Sequence, residues 1–243
     1  MNKEVSEIDI AKCVVNYLTE MKWEVYQEVQ TIYGPRADIV AVRNGVLWVI
    51  ECKKNLSLAL INQAYFWLKY SNYVSVVSAT YPGNFANYVF KRDGIGYMIA
   101  KDKKSRYNDD NICLMMLIQP NLRRKSDTNK IKSLLCEKQK TYALAGNSTC
   151  SYWSPFKQTC EIVCDYVRLN PGTTFKNMLQ HIKTHYSSEK TAHSTLLHWI
   201  KTGVIKDIAI KRDGKALTLF LKDICADETP KLNRLLFDNI IEI

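Results

Sequence analysis

Two hydrophobic periodicities alternate along the first 120 residues. Residues 6–21 place Ala11, Val14 and Leu18 on one helical stripe, and Ser6 is a good N-cap for this helix. Further along, the pattern predicts helices and strands in turn: strands at 23–29, 73–79, 94–100 and 111–117, and helices at 57–71 and 84–92. Helices interspersed with strands predict an α/β fold in which helices cover a mixed sheet.

The segment 37–54 carries a hairpin pattern. Two β-rich runs flank Asn44-Gly45, a dipeptide that favours a tight type I′ turn. Because residues two apart on a strand point the same way, Glu51 and Lys53 share a face of the second strand, while Asp38 points from the first. We expect these charged side chains to meet at one edge of the sheet.

The chain changes character after residue 119. Residues 120–152 are polar, basic and rich in small residues, which predicts a linker with a short helix at 131–140. Three helices follow in residues 153–243, and after them come two strands joined by the turn 211–215. This order is typical of a winged helix-turn-helix. We therefore expect a mixed-sheet domain at 1–119 followed by a mostly helical winged helix domain.

Positive charge is concentrated in the second half of the chain. Residues 1–119 hold 14 Lys/Arg and 12 Asp/Glu, whereas residues 120–222 hold 18 Lys/Arg and 7 Asp/Glu, and the whole chain has a formal charge of +10. Such an excess favours a polyanionic partner, with a solvated basic surface as the alternative. No apolar run is long enough for a membrane span and the N-terminus has no secretory core, so we expect a cytoplasmic protein with reduced cysteines.

The charged residues of the hairpin predict a metal site. Two converging carboxylates repel each other unless a cation lies between them, and hard oxygen ligands select Mg²⁺, with Mn²⁺ as a substitute. The carbonyl of Cys52 would add a further oxygen. The metal would activate a water for attack on a phosphate, and Lys53 would orient that water or offset the developing charge. No other small-molecule cofactor is expected.

An Asp on one strand followed, 13 positions later, by Glu-x-Lys on the next strand resembles the PD-(D/E)XK superfamily, which includes restriction endonucleases, Holliday-junction resolvases and repair nucleases. In this chain the motif is ADIVAV and then GVLWVIECKK, with Ala37 where the family often has Pro. The flanking stretches SEIDIAKCVVNYL and NLSLALINQAYFWL further resemble an uncharacterised family of predicted PD-(D/E)XK phosphodiesterases. Segments such as TLLHWIKTGVI occur in similar proteins.

This resemblance implies roles for two more residues. Family members carry an acidic residue on the helix before the sheet, which corresponds to Glu7, so that Glu7, Asp38 and Glu51 would hold the metal. Some branches place a Gln on the helix after the Lys strand, which corresponds to Gln63. Many relatives dimerise to cut both strands, so a homodimer is one expectation.

The winged helix prediction assigns DNA contacts to two elements. The first turns of the third helix would reach base edges through Lys190, Thr191, His193 and Ser194, and the hairpin tip would reach phosphates through Lys211, Arg212 and Lys215. The alternative is a domain for protein contacts.

A zinc site on pairs such as Cys160/Cys164 is also left open.

The sequence therefore predicts a Mg²⁺-dependent endonuclease that hydrolyses phosphodiester bonds in duplex DNA. Two alternatives remain at this point. One is a DNA-binding regulator whose nuclease fold has lost its activity. The other is a nuclease acting on RNA or branched DNA, with the winged helix recruiting a protein.

Overall fold

The computed structural model describes residues 5–31, 34–102, 112–146, 152–213 and 216–222. The chain divides into two compact units, Met1–Trp153 and Ser154–Ile243. None of the described helices is long and apolar enough to cross a membrane.

The first unit contains five helices and six strands among the described residues. In chain order they are α1 (Glu7–Glu20), β1 (Glu24–Gln30), β2 (Arg36–Arg43), β3 (Val46–Cys52), α2 (Leu58–Trp67), β4 (Tyr73–Ser78), α3 (Asn84–Asp93), β5 (Gly96–Asp102), β6 (Ile112–Ile118), α4 (Asn129–Lys132) and α5 (Lys138–Thr141).

The six strands form one mixed sheet in their sequence order. β1, β2 and β3 form an antiparallel meander, and β6 is antiparallel to β5. β4 runs parallel to both β3 and β5, with α2 and α3 as the connections between them. The α/β fold with a mixed sheet that the sequence predicted is thereby confirmed.

The tight turn between β2 and β3 sets the register of the hairpin. Asn44 and Gly45 both have positive φ, 50° and 78°, as a type I′ turn requires. Pairing begins at Arg43 with Val46 and continues to Ile39 with Ile50. The predicted hairpin is confirmed. Asp38 and Glu51 lie next to the pair Ile39–Ile50, at the end of the hairpin away from the turn.

Apolar side chains fill both sides of the sheet. One core cluster includes Trp67 of α2 and Phe90 of α3, and the other includes Val14 and Leu18 of α1. The α1 helix begins at a capping box in which the Ser6 hydroxyl accepts from the Asp9 backbone N–H while the Asp9 carboxylate accepts from the Ser6 N–H. The site described below therefore stands on a sheet packed on both faces.

The segment expected to be a linker, 120–152, contributes to the first unit. The Gln27 side chain accepts from the Ala145 N–H and donates to the Lys140 carbonyl, and Ile131, Ala143 and Ala145 are buried. These hydrogen bonds and buried side chains show that the segment packs against the sheet at β1. The division between the units falls at Trp153 and Ser154.

The second unit consists of α6 (Pro155–Leu169), α7 (Phe175–His181), α8 (Glu189–Lys201) and the hairpin β7 (Ile208–Asp213) and β8 (Ala216–Leu221). The predicted order of three helices and two strands is confirmed. The middle helix is short because it ends at His181, and Ile182 after it is extended. An isolated antiparallel bridge joins Thr174 to Thr218 of β8.

Candidate active site

Asp38 and Glu51 lie together at the open end of the β2–β3 hairpin. They follow the last pair of the ladder, Ile39 with Ile50, and their carboxyl groups are within hydrogen-bonding reach of each other. Asp38 is 8% exposed and Glu51 is 1% exposed. The structure thus brings together the two carboxylates that the sequence predicted as metal ligands.

The four oxygens of this pair are unequally satisfied. The Cys52 backbone N–H donates to Asp38 Oδ2 at 2.8 Å, and Trp67 Nε1 donates to Glu51 Oε1 at 2.5 Å. Glu51 Oε2 is buried and accepts no hydrogen bond from any described residue. An unsatisfied, buried carboxylate oxygen is costly, so this position needs a proton or a cation.

Burial and proximity disfavour two negative charges here. Burial raises the pKa of Asp38, although the Cys52 N–H and the Lys53 ammonium oppose the shift. Burial also raises the pKa of Glu51 well above its usual range, and the neighbouring Asp38 charge adds to the effect. A divalent cation between the two would reverse this tendency.

Lys53 lies beside the pair and is held by Glu7 of α1. Its Nζ is 3.0 Å from Glu7 Oε2, while Glu7 Oε1 accepts from the Lys54 backbone N–H at 3.4 Å. Burial lowers the pKa of Lys53, but the hydrogen bond to Glu7 and the charge of Asp38 raise it by more. Lys53 is therefore a fixed ammonium, and Glu7 contacts this ammonium, not the two carboxylates.

The main chain of Cys52 can supply a third oxygen ligand. The N–H and C=O of one strand residue point to the same side, and the Cys52 N–H points to Asp38. The N–H of the next residue, Lys53, points the other way and donates to the Val77 carbonyl of β4. The Cys52 carbonyl therefore lies on the same side of the strand as Asp38.

This all-oxygen donor set fits hard cations such as Mg²⁺ or Mn²⁺ better than zinc or copper. Within the described ranges, no three His, Cys, Asp or Glu side chains are grouped so that they could hold a metal ion. Mg²⁺ is commonly held by one or two carboxylates and keeps several of its waters. Two carboxylates and one carbonyl are therefore a sufficient protein contribution for Mg²⁺.

The helix α2 contributes a residue that the sequence did not single out. Gln63 is half-buried, but it is Trp67, one turn further along, that hydrogen-bonds Glu51. An apolar helical stripe predicts a buried Trp equally well without such a bond, so no local signal distinguishes its role.

A second unpredicted feature is Glu28, in the middle of β1. Its φ of 53° marks a local irregularity between the pairs Gln27–Ile39 and Val29–Ala37, where Glu28 stands opposite Asp38 without a change of register. Burial raises the pKa of Glu28 to about 7, with Arg36 opposing the shift and Asp38 adding to it. The core residues Tyr26 and Val29 are three positions apart, a spacing that a regular strand does not give to side chains on one face, and this is the sequence signal for the irregularity.

Glu28 fixes Arg36, the first residue of β2. Arg36 Nε lies 2.6 Å from Glu28 Oε2, and the guanidinium carbon lies 4.8 Å from the centre of the Tyr152 ring. The terminal nitrogens Nη1 and Nη2 donate to no described residue. A guanidinium that is held through Nε and keeps both terminal nitrogens available, two residues before Asp38, is suited to bind a phosphate.

The predicted DNA-contacting residues of α8 differ in exposure. Lys190, Thr191 and Ser194 are exposed, although Thr191 and Ser194 hydrogen-bond within the first turns of the helix. His193 is half-buried and packs edge-on against Phe175. Lys190 is therefore the residue of this set with the clearest access to solvent.

At the second predicted contact, the β7–β8 hairpin, Lys211 and Arg212 are exposed near the tip. Lys215 lies outside the described residues.

Cys160 and Cys164 are free thiols whose pKa values burial raises to about 12 and about 11, which opposes the thiolate form that zinc needs.

Neither a protein-family model nor a curated protein matches this chain. A solved structure with a distant likeness is that of a protein of unknown function from Silicibacter pomeroyi, with 15% sequence identity and a TM-score of 0.37. The match covers 51% of this chain and 77% of that chain. A likeness of this size carries no functional argument, so the functional case depends on the geometry of the site.

Proposed function

We propose that this protein is a Mg²⁺-dependent nuclease of the PD-(D/E)XK type that hydrolyses phosphodiester bonds in DNA. The observation that carries the proposal is the buried pair Asp38 and Glu51, with one oxygen unsatisfied, beside the fixed ammonium of Lys53. A buried carboxylate oxygen that accepts no hydrogen bond is uncommon in native structures, and beside a second buried carboxylate and an ammonium it supports a site for a cation.

Each residue has a role that its contacts support. Asp38, Glu51 and the Cys52 carbonyl would hold the metal, which when bound polarises a phosphoryl oxygen and acidifies a water. Trp67 restricts the Glu51 carboxylate through its hydrogen bond. Lys53, oriented by Glu7, offsets negative charge that develops on the phosphate during attack.

Arg36 would position the substrate strand. Its spare nitrogens can make a bidentate contact with a phosphate, while Glu28 and Tyr152 hold the rest of the guanidinium. Such a contact would position the neighbouring phosphodiester at the metal site. The positive charge of Arg36 is already balanced by Glu28.

The second unit would act as a winged helix that binds duplex DNA. Three helices, a hairpin and the bridge from Thr174 to Thr218 support this arrangement. Lys190 on α8 and Lys211 and Arg212 on the hairpin offer exposed cations to the phosphate backbone.

The test is a cleavage assay on duplex, single-stranded, forked and junction DNA and on RNA, each with and without Mg²⁺. We expect cleavage that requires Mg²⁺ and falls at least about 100-fold in Asp38→Asn, Glu51→Gln and Lys53→Ala, as when a transition-state contact is removed. Lys69→Ala, which changes an exposed lysine just before β4, is the matched control and should cleave normally.

The alternatives give different results in the same assay. Tight DNA binding that is indifferent to Mg²⁺, with no cleavage of any substrate, would support the inactive regulator. Cleavage confined to RNA or to junctions would support the alternative of a nuclease that acts on RNA or branched DNA. Activity unchanged in all three site variants, each shown to be folded by circular dichroism, would refute the proposal.

A further inference from the structure

Three aromatic side chains are exposed at the start of α3 and just before it. Tyr81 is 58% exposed, Phe85 is 72% exposed and Tyr88 is 62% exposed. The helix already packs on the core through Ala86, Val89 and Phe90. The three rings therefore add nothing to the core, and a cluster of large exposed apolar groups indicates a binding surface.

This aromatic patch (Tyr81, Phe85 and Tyr88) lies at the same sheet edge as the candidate active site. The Ala79 N–H donates to the Lys54 carbonyl at 3.1 Å, and the Leu56 N–H donates to Thr80 Oγ1 at 3.3 Å. The chain that leaves β3 after Lys53 is therefore bonded to the chain that leaves β4 just before Tyr81. A strand whose phosphate lies at the metal site would pass close to the patch.

Cations flank the rings. Lys101 Nζ lies 3.9 Å from the centre of the Tyr81 ring, and the Arg92 guanidinium lies 5.9 Å from that of Tyr88. Lys91 is exposed on the same helix. Asp93 is the acidic group here, and it is occupied by Arg92 and the Tyr65 hydroxyl.

This combination fits unpaired nucleotides better than an apolar protein partner. Aromatic rings stack on bases, and neighbouring Lys and Arg neutralise the phosphates between them. A protein helix docking here would need a long apolar strip, but the exposed apolar side chains of α3 are Phe85 and Tyr88, with Asn84, Asn87 and Lys91 beside them. Bases in a duplex are already stacked on each other, so only unpaired bases can use this patch.

We propose that Tyr81, Phe85 and Tyr88 form a stacking platform for single-stranded DNA next to the active site. This proposal deepens the proposed nuclease function: its substrate would be duplex DNA with an unpaired stretch beside the scissile phosphate, such as a flap, a fork or a gap. The second unit would hold the duplex part.

The binding test uses the whole chain in EDTA, so that no cleavage occurs. Fluorescence anisotropy compares a labelled oligothymidine with a duplex of equal length. Phe85→Ala should weaken binding to the single strand by roughly 5- to 150-fold and leave duplex binding unchanged. Phe85→Trp should keep binding, because it retains an aromatic face.

Leu58→Ala is the matched control, since Leu58 is 69% exposed on the neighbouring helix α2 but has no aromatic face. Its single-strand affinity should equal that of the unchanged chain. An affinity for oligothymidine that is unchanged in Phe85→Ala and in Tyr88→Ala would overturn the platform, as would equal losses on duplex and single strand. Dissociation of a dimer by Phe85→Ala, without an effect on DNA, would make the patch a contact between copies of this chain.

The two proposals fail separately. Mg²⁺-dependent cleavage with normal single-strand binding in Phe85→Ala would keep the nuclease and remove the platform. Phe85-dependent binding of single strands by a protein that cleaves nothing would keep the platform and remove the nuclease.

Discussion

Glu51 combines three properties that rarely occur together in a residue with a purely structural role. It is buried, it lies against a second carboxylate, and one of its oxygens accepts no hydrogen bond from the described part of the chain. The Trp67 N–H offsets part of the burial cost, but the net effect still favours the protonated form. Stability is therefore given up at this position, as is common where a site is prepared for a charged ligand.

This cost predicts a stabilising substitution. The pKa of Glu51 is raised in the folded state, so the contribution of Glu51 to the stability of the metal-free protein is greatest below the unfolded value near 4.3 and is lost as pH rises from there through the folded pKa. At pH 8 without metal, Glu51→Gln should increase the free energy of unfolding by about 1–3 kcal/mol. Urea unfolding at pH 5 and pH 8 measures both the gain and its pH dependence.

Magnesium provides the complementary check. Mg²⁺ should raise the melting temperature of the unchanged protein and not that of Glu51→Gln, because binding to the folded state alone stabilises it. Part of the pH dependence should persist in the variant, since Glu28 has a pKa raised to about 7 and therefore acts with the same sign. Equal shifts with Mg²⁺ in both proteins would contradict the site.

Among the elements, the segment around α5 forms hydrogen bonds with two side chains of β1. Gln27 and Glu28 both accept hydrogen bonds from it, at the backbone N–H groups of Ala145 and Gly146. Gly146 also approaches α1 closely, with φ at +78°. The carboxylate that fixes Arg36 is thus itself oriented by a segment more than a hundred residues away in the sequence.

Substitution of Gly146 should reveal this packing. A Cβ at residue 146 would lie 2.7 Å from the Glu7 backbone oxygen, whereas a Cβ at Gly45, with the same φ, would meet nothing within 4 Å. Gly45→Ala should cost about 1 kcal/mol through its backbone conformation alone, and Gly146→Ala roughly 2–4 kcal/mol with loss of activity. Equal unfolding free energies for the two variants would argue against the close packing.

At the scale of the whole molecule, the basic excess lies in the part of the chain that follows the sheet. The first unit carries the carboxylate pair, and the segment 120–222, which spans the last part of that unit and the described part of the second, has a net charge of +11 from 18 basic and 7 acidic residues. In the proposed nuclease, this basic segment would supply affinity for the phosphate backbone, while contacts near the metal would position the strand.

The salt dependence of binding tests this division. In EDTA, the affinity for duplex DNA should fall linearly with the logarithm of salt concentration, and Lys211→Ala combined with Arg212→Ala should reduce the slope by about 2. Lys69→Ala again serves as control. A slope that is the same in the double variant would place the phosphate contacts elsewhere.

Local patterns were sufficient for much of this protein. Helical and alternating periodicities, the Asn44-Gly45 turn and the cap at Ser6 act through neighbouring residues, so the elements, the hairpin and the meeting of Asp38 with Glu51 follow from the sequence. Other features depend on residues distant in the chain. They are the hydrogen bond from Trp67 to Glu51, the ion pair between Glu28 and Arg36, and the packing of 120–146 against β1. Only the folded chain brings those groups into contact, because side-chain hydrogen bonds and burial are decided by which surfaces meet.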